Sequence, residues 1–332
     1  MRVLITGGLG FIGSAVVREC LNKGYSVFNL DLETYAAIAP HPNILNMKEN
    51  YQYCSGDINN FKLMTKIFRE FKPHKVINLA AETHVDNSID RPKTFINTNI
   101  NGTANLLQVA LNYFNSISDK EKFVFVHVST DEVYGSLGKE GNFSEISPYD
   151  PRSPYSASKA ASDHLVSAWH HTYGLPTIIT NCSNNYGPFQ HPEKLVPKSI
   201  MCLINGDPIP IYGSGQNIRD WLYVEDHANA LVEISQKGRI GEKYLIGTEN
   251  EMSNLEIITE IIKCVNQITN SQLSINDNCI FIADRLGHDF RYAINPGKIT
   301  SEIGWKVRDT FSNNLYNTVK WYIDNIDKFS VS

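Results

Sequence analysis

A glycine-rich turn near the start of the chain limits the possible folds more than any other stretch. An apolar run, Arg2–Thr6, leads into a turn over 7–13 that contains four glycines, and a helix-like stretch follows over 14–23. A second apolar run ends on Asp31, about 20 residues beyond the glycines, where dinucleotide-binding folds place an acid on the ribose hydroxyls. Glycines let the backbone approach a pyrophosphate, and the helix N-terminus offers unpaired N–H groups. The turn therefore predicts a dinucleotide site, and Asp31 favours NAD over NADP because its carboxylate would repel a 2′-phosphate.

Strand and helix signals alternate after this turn, as in a chain of βαβ units. Strands are predicted over 2–6, 26–30, 51–55, 75–79, 123–129, 177–182 and 242–246. Several of these runs are apolar almost without a break, which is typical of parallel strands that are buried on both faces. The pattern predicts an α/β fold, a Rossmann-type doubly wound parallel sheet of about seven strands.

The composition changes between 183 and 222, where Asn, Pro, Gly and aromatic residues are frequent. Such a shift marks the entry to a second lobe. We expect two interleaved domains, an NAD-binding domain over 1–182 plus 223–248 and a smaller α/β substrate lobe over 183–222 plus 249–332.

Composition excludes several classes of function. The net charge is −5 and no run of Lys or Arg stands out, so we expect no nucleic-acid partner. The six cysteines and ten histidines lack the spacing of metal ligands, so no metal is predicted and the thiols are expected to be reduced. No apolar run approaches the roughly 18 residues of a membrane span, so we expect a cytoplasmic protein without a membrane partner.

Acidic, basic and phenolic side chains are gathered around the end of the strand at 123–129. Asp131 and Glu132 follow this strand directly, and Tyr155 and Lys159 are four residues apart on a predicted helix, hence on one face. An ammonium group beside a phenol lowers the pKa of the phenol and makes it a base near neutral pH, and the hydroxyl of Thr130 or Ser129 can share the proton. With NAD, this set would oxidise a secondary alcohol, and the paired carboxylates would supply the proton acceptor and donor that elimination of water requires.

These stretches resemble the dTDP-glucose 4,6-dehydratases, which are extended short-chain dehydrogenases/reductases, nearly from end to end. The matching stretches are 6–13, 31–36, 57–58, 81–86, 129–135, 155–159, 184–188, 192–195, 213–215, 219–221 and 284–292. The resemblance implies that Tyr155, assisted by Thr130 and Lys159, oxidises C4 of a nucleotide-linked glucose. It further implies that Glu132 removes the C5 proton, that Asp131 protonates the departing C6 hydroxyl, and that hydride returns to C6.

Open α/β sheets bind their ligands at the carboxyl ends of the strands, which we call the strand-end rule. This rule and the resemblance together predict two sets of binding residues. The predicted NAD contacts are Gly7, Gly10, Phe11, Ile12, Gly13, Asp31, Thr34, Asp57, Ile58, Ala80, Ala81, Thr83, Asn99, Tyr155 and Lys159. The predicted contacts to the nucleotide sugar are His84, Asn184, Glu193, Lys194, Leu195, Pro210, Tyr212, Arg219, Arg285 and His288. Asp57 has a second interpretation as the N-cap of the following helix.

Other functions of the same fold stay open at this point. The substrate could be dTDP-glucose or UDP-glucose. A nucleotide-sugar 4-epimerase or decarboxylase would also oxidise C4, but neither needs the paired carboxylates, and a non-catalytic NAD(H)-sensing module is a remote alternative. Small residues on the predicted helix over 154–173 favour a homodimer that packs through this helix and the stretch 98–114.

Overall fold

A parallel sheet of seven strands forms the centre of the protein, a computed structural model of which describes residues 1–37, 48–284 and 287–328. The strands are β1 Arg2–Thr6, β2 Ser26–Asp31, β3 Tyr51–Ser55, β4 Lys75–Asn78, β5 Val124–Thr130, β6 Thr177–Cys182, β7 Asn184–Tyr186, β8 Ile209–Tyr212, β9 Ile218–Tyr223, β10 Lys243–Ile246, β11 Glu251–Ser253 and β12 Cys279–Ile282. The helices are α1 Phe11–Asn22, α2 Phe61–Phe71, α3 Val85–Asp90, α4 Pro92–Phe95, α5 Thr103–Ser116, α6 Pro154–Tyr173, α7 Leu195–Asn205, α8 Val224–Lys237, α9 Asn254–Thr269, α10 Ile275–Asn278, α11 Gly297–Ile303 and α12 Phe311–Asp324.

The order of the strands in the main sheet is β10-β6-β5-β4-β1-β2-β3, and every neighbouring pair is parallel. This confirms the predicted doubly wound sheet. Strand β10 pairs with β6, with Lys243 opposite Ile179, so the chain rejoins the sheet after its excursion into the second lobe. Because all seven strands run in the same direction, the polar residues at their carboxyl ends lie on one side of the sheet. Open α/β sheets bind their ligands at these carboxyl ends.

Alternate side chains of each central strand enter two separate cores. Val3 and Ile5 of β1 pack on the face covered by α1 and α8, whereas Leu4 packs on the opposite face with α2 and α5. Strand β5 is buried along its whole length. Because both faces are covered, these strands need apolar residues at nearly every position, which explains their unbroken apolar runs.

The second lobe contains a three-stranded sheet, in the order β11-β9-β7, and a pair of parallel strands, β12 and β8. Its core lies between these strands and helices α7, α9 and α12. Helix α11 and Trp305 pack instead into the core that α1 and α8 cover on the main sheet. The domain boundaries given above stay a prediction. In the described part of the chain, the structure contains no helix that is both long and apolar enough to cross a membrane.

Candidate active site

A cavity of about 310 Å³ runs along the carboxyl ends of the central strands and reaches the second lobe. Its walls include the glycine turn, the ends of β4, β5 and β6, and the loop between β7 and α7. Of the predicted NAD contacts, the following line it: Gly7, Gly10, Phe11, Ile12, Gly13, Asp31, Thr34, Asp57, Ile58, Ala80, Ala81, Thr83, Tyr155 and Lys159.

The glycine turn leaves room for a ligand because side chains are missing where the backbone is crowded. Gly7 has a φ of +75°, and a Cβ on Gly13 would lie 2.0 Å from the Gly7 carbonyl oxygen. Helix α1 begins directly behind the turn, with no side-chain cap and no acidic residue in its first turn. Its N–H groups and positive dipole end therefore suit a diphosphate, and the turn fits a dinucleotide.

Two side chains at the end of β2 hold this turn in place. The backbone N–H of Leu9 donates to Asp31 Oδ2 at 2.9 Å, and that of Gly8 donates to Asn29 Oδ1 at 3.0 Å. Asp31 is thus fixed next to the glycines while it lines the cavity. The role of Asn29 was not foreseen, since its position inside an apolar strand gives no signal of the contact.

Asp57 lines the cavity and does not cap helix α2. The N-cap of α2 is Asn60, whose side chain accepts from the backbone N–H of Leu63 at 3.1 Å. Asp57 Oδ1 accepts from the backbone N–H of Asn59 at 2.8 Å, within the same loop. The alternative interpretation of Asp57 as an N-cap is therefore wrong.

Asn99 lies behind the cavity wall and does not line it. It belongs to a π-helical stretch, Ile96–Gly102, that directly precedes α5. Its side chain accepts from Glu82 N at 2.8 Å and donates to Glu82 O at 3.0 Å and to Ser158 Oγ at 2.8 Å. Asn99 therefore joins the loop after β4 to helix α6, and a direct contact with NAD stays a prediction.

The five predicted catalytic residues meet at one end of the cavity. Strand β5 ends on Thr130, which caps a 3₁₀ turn over Asp131–Tyr134 by accepting from the backbone N–H of Glu132 at 3.3 Å. The Thr130 hydroxyl acts to lower the pKa of Tyr155, and Lys159 donates to the Val128 carbonyl at 2.8 Å. The end of β5 and the first turns of α6 thus bring the carboxylates, the phenol and the ammonium group together.

Helix α6 starts at a fixed point because its N-terminus has a capping box. The Ser153 and Ser156 side chains each accept from the other's backbone N–H, both at 3.0 Å, and Pro154 occupies the first turn. A cap of this type satisfies N–H groups that have no partner within the helix. It sets the start of the helix one residue before Tyr155.

Burial gives the two adjacent carboxylates different properties. Asp131 is 1% exposed, and its burial, followed by the charge of Glu132, raises its pKa well above the ordinary value. Glu132 is only half-buried. Burial therefore favours the protonated form of Asp131, which can donate a proton, whereas an ionised neighbour can accept one.

The pKa of Tyr155 differs from the expectation. Burial, followed by the charge of Glu132, raises its pKa well above the ordinary value, and the Thr130 hydroxyl lowers it only in part. Lys159 is also fully buried, and burial lowers its pKa. In the polypeptide alone, the pKa of Tyr155 is therefore raised by burial, whereas the sequence predicts that it is lowered by Lys159.

Three of the predicted substrate contacts line the cavity: Asn184, Glu193 and Lys194. His84 lies beside them, with its Nε2 atom 3.6 Å from a carboxylate oxygen of Glu193. Lys194 donates to the Thr83 carbonyl at 3.3 Å, across the boundary between the main sheet and the second lobe. Both lobes therefore contribute polar groups to the cavity near Glu193 and Lys194.

Of the other predicted substrate contacts, those within the described residues do not line this cavity. Leu195 starts helix α7, and Pro210 and Tyr212 lie on β8. The ring of Tyr212 lies 6.4 Å from that of His288, whose Nδ1 atom is 2.7 Å from Asp284 Oδ1. Arg285 lies outside the described residues.

Arg219, a predicted substrate contact, is buried, with only 7% of its surface exposed. Its guanidinium group donates to the carbonyls of Ile218 at 2.7 Å and Asp289 at 2.9 Å, and it lies 4.2 Å from the ring centroid of Tyr292. Its charge acts to lower the pKa of Asp131. Arg219 thus joins the second lobe to the acidic end of the cavity.

Several residues that line the cavity were not predicted, among them Cys182, Ser183, Asn185, Gln190 and His191. Cys182 and Ser183 follow from the strand-end rule, since β6 ends at Cys182. Gln190 and His191 lie in an irregular loop of the second lobe, and no local pattern marks them. In the described ranges, no group of three or more His, Cys, Asp or Glu side chains could hold a metal ion.

Comparisons with known proteins place this site within one family. The model of the GDP-mannose 4,6-dehydratase family matches residues 4–318. The dTDP-glucose 4,6-dehydratase of Salmonella typhimurium is 48% identical over 337 residues, which cover 98% of this chain and 93% of that protein. The crystal structure of DesIV, a dTDP-glucose 4,6-dehydratase from Streptomyces venezuelae with NAD bound, has a TM-score of 0.87 and 39% identity, with 98% of each chain covered.

A UDP-glucose 4-epimerase from Thermotoga maritima is also similar in structure, with a TM-score of 0.86, but it is only 26% identical over 98% of this chain and 100% of its own. The fold is thus shared among enzymes that act on nucleotide sugars, and the sequence similarity to the dehydratases is higher. The chain belongs to the family of the dTDP-glucose 4,6-dehydratases, as the resemblance of its motifs predicted.

The raised pKa of Asp131 has a measurable effect on stability. The unfolded chain releases the Asp131 proton near the ordinary pKa of 3.8, whereas the folded protein holds it to higher pH. Between these two pH values, Asp131 should therefore lower the free energy of unfolding by an amount that grows as the pH rises. Asp131→Asn should therefore raise the free energy of unfolding by about 1–2 kcal/mol at neutral pH and much less near pH 4, measured by urea denaturation. The exposed substitution Asp207→Asn should change it by less than ~0.5 kcal/mol at both pH values, and equal gains for Asp131→Asn at both would contradict the assignment.

Proposed function

We propose that the protein is an NAD-dependent 4,6-dehydratase that converts dTDP-glucose into the 4-keto-6-deoxyglucose nucleotide and water. The observation that carries this proposal is that a fully buried Asp131 lies beside Glu132 in the same cavity as Tyr155 and Lys159, with burial raising the pKa of Asp131. A plain dehydrogenase or a 4-epimerase needs only the phenol and the lysine. The similarity to curated dTDP-glucose 4,6-dehydratases supports the same activity.

NAD, when it is bound along the glycine turn and Asp31, would accept hydride from C4 of the sugar and return it to C6. Tyr155 takes the proton of the C4 hydroxyl, and Thr130, which lines the same end of the cavity, shares that proton. The ammonium group of Lys159 stabilises the phenolate. The two side chains project from successive turns of α6, so one helix positions both.

The carboxylates complete the elimination. Once C4 is a ketone, the proton on the adjacent C5 is acidic, and Glu132 removes it. Asp131, held neutral by burial, protonates the C6 hydroxyl as it leaves as water. Because one carboxylate must begin neutral and the other ionised, the difference in burial between the two residues is what the chemistry requires.

The substrate's nucleotide diphosphate would extend from this site into the second lobe. Asn184, Glu193 and Lys194 lie at the cavity wall, and His84 lies next to Glu193. Arg219 and Arg285 would supply positive charge to the phosphates, and Leu195, Pro210, Tyr212 and His288 would border the nucleotide. These assignments are proposals that rest on the resemblance and on position in the fold.

We also propose that the protein works as a cytoplasmic homodimer. Ala157 and Ala161 lie one turn apart on the outer side of α6, where small side chains allow a second helix to approach closely. Helix α5 packs beside α6, so both can contribute to one interface. The six cysteines are all free thiols, which supports a reducing compartment.

The activity is tested with dTDP-glucose and UDP-glucose in competition for one enzyme sample. The expected product is a 4-keto-6-deoxy sugar nucleotide that has lost one water by mass spectrometry, formed faster from dTDP-glucose. Asp131→Asn should impair water loss more than C4 oxidation, seen as a build-up of near-ultraviolet absorbance from reduced nicotinamide. Recovery of only a C4 epimer, or no reaction with either donor, would contradict the proposal.

The dimer is tested by light scattering at working concentration, where the mass should be twice that of the 37.4 kDa chain. Ala157→Arg should give monomers, because a long charged side chain would keep the two helices apart. Lys320→Ala, on the exposed side of α12, should leave the dimer intact. A monomeric mass for the unchanged protein would rule the interface out.

A further inference from the structure

A buried carboxylate that the proposed steps do not use lies one helical turn beyond Lys159. Asp163 is 1% exposed and follows Tyr155 and Lys159 at intervals of four residues, so all three share the inward face of α6. Ionised side chains are almost never fully buried without a partner of opposite charge. The surroundings of Asp163 therefore show which charge it balances.

Neutral donors hold the Asp163 carboxylate in place. Its Oδ2 atom accepts from the Tyr149 hydroxyl at 2.9 Å and from Asn181 Nδ2 at 3.1 Å. The same amide group of Asn181 donates to the Thr130 carbonyl at 3.1 Å, directly before the 3₁₀ turn that carries Asp131. Asp163 is thus connected through one side chain to the backbone of the catalytic turn.

His127 approaches the other carboxylate oxygen but carries no charge at neutral pH. Its Nε2 atom lies 3.4 Å from Asp163 Oδ1, and its Nδ1 atom lies 3.1 Å from the amide nitrogen of Asn78, an arrangement that puts the proton on Nε2. Burial, followed by the charge of Lys159, lowers the pKa of His127 to about 4. The ring therefore lies close to the carboxylate without balancing its charge.

The other titratable groups around Asp163 and Lys159 come from several elements. They are Tyr134 and Tyr149 from the segment after β5, Cys182 from β6, Lys243 from β10, Tyr155 on α6 itself, and Asp131 and Glu132, which face Tyr155. Burial raises the pKa of the Cys182 thiol and of the phenols, so these groups are neutral near pH 7. Lys243 is the other cation of the set, and its Nζ atom lies 4.2 Å from the ring centroid of Tyr149.

We propose that Asp163 is the buried counter-ion of Lys159 and, through Asn181, a positioning residue for the catalytic turn. The proposal rests on the proposed function, because Asp163 acts through Lys159 on Tyr155. A lysine buried without a counter-charge loses its proton near neutral pH, and a neutral amine would no longer stabilise the Tyr155 phenolate. Asp163 supports the chemistry by keeping that charge in place.

The isosteric substitution Asp163→Asn removes the charge and keeps the shape. We expect kcat to fall at least ~10-fold at neutral pH with little change in KM, and the rising limb of its pH profile to move about one unit to higher pH. Tyr149→Phe is the matched control, since it removes a hydrogen bond to the same carboxylate but leaves the charge. An unchanged pH profile for Asp163→Asn, or an equal shift for Tyr149→Phe, would overturn the proposal.

A second measurement needs neither substrate nor turnover. In protein labelled with ¹³C at the lysine ε-carbon, the Lys159 resonance, assigned by its loss in Lys159→Met, should titrate at lower pH in Asp163→Asn than in the unchanged protein. If Asp163→Asn does not fold, the aspartates are labelled with ¹³C at the γ-carbon instead. By linkage, Asp163 should then titrate at higher pH in Lys159→Met than in the unchanged protein. An unchanged titration in these samples overturns the proposed charge interaction between Asp163 and Lys159, even if the protein proves inactive on dTDP-glucose.

Discussion

The hydrogen bond from Lys159 to the Val128 carbonyl, 2.8 Å long, joins helix α6 to the last residues of strand β5, and the geometry of the site depends on this junction. Strand β5 lies between β4 and β6 and is buried throughout, so its end cannot shift without disturbing the sheet. The next residues along the strand are Ser129 and Thr130, and the carboxylates follow at once. One junction therefore sets the distance between the phenol on the helix and the acid and base on the turn.

Burial determines what each ionisable group of the site can do. The fully buried Asp131 keeps its proton, whereas Glu132 beside it is only half-buried, so two side chains of similar chemistry can take opposite roles in one elimination. The same burial would neutralise Lys159 if no negative charge accompanied it. Asp163 supplies that charge from the next turn of the helix, in a layer of polar side chains beneath the reacting groups.

The sheet and most of the cavity could be predicted from the amino-acid sequence, because both depend on local patterns. Unbroken apolar runs mark the buried strands, and the strand-end rule places the glycine turn, Asp31 and the carboxylates at one edge of the sheet. Three features depend on contacts between segments that are distant along the chain. They are the hydrogen bonds by which Asn99 joins the loop after β4 to helix α6, the burial of Arg219 and the position of Asp163. The expected pKa of Tyr155 was wrong for the same reason, since burial is a property of the fold and not of a four-residue spacing.

The central claim is that oxidation at C4, elimination and reduction at C6 occur in one cavity on one sugar. Reaction of dTDP-glucose carrying deuterium at C4, followed by mass spectrometry and NMR of the product, tests this most directly. The account predicts that the label appears in the C6 methyl group of a 4-keto product, with a solvent proton at C5. Label recovered at C4 of an epimer, or a 4-keto product with no deuterium in its methyl group, would contradict it.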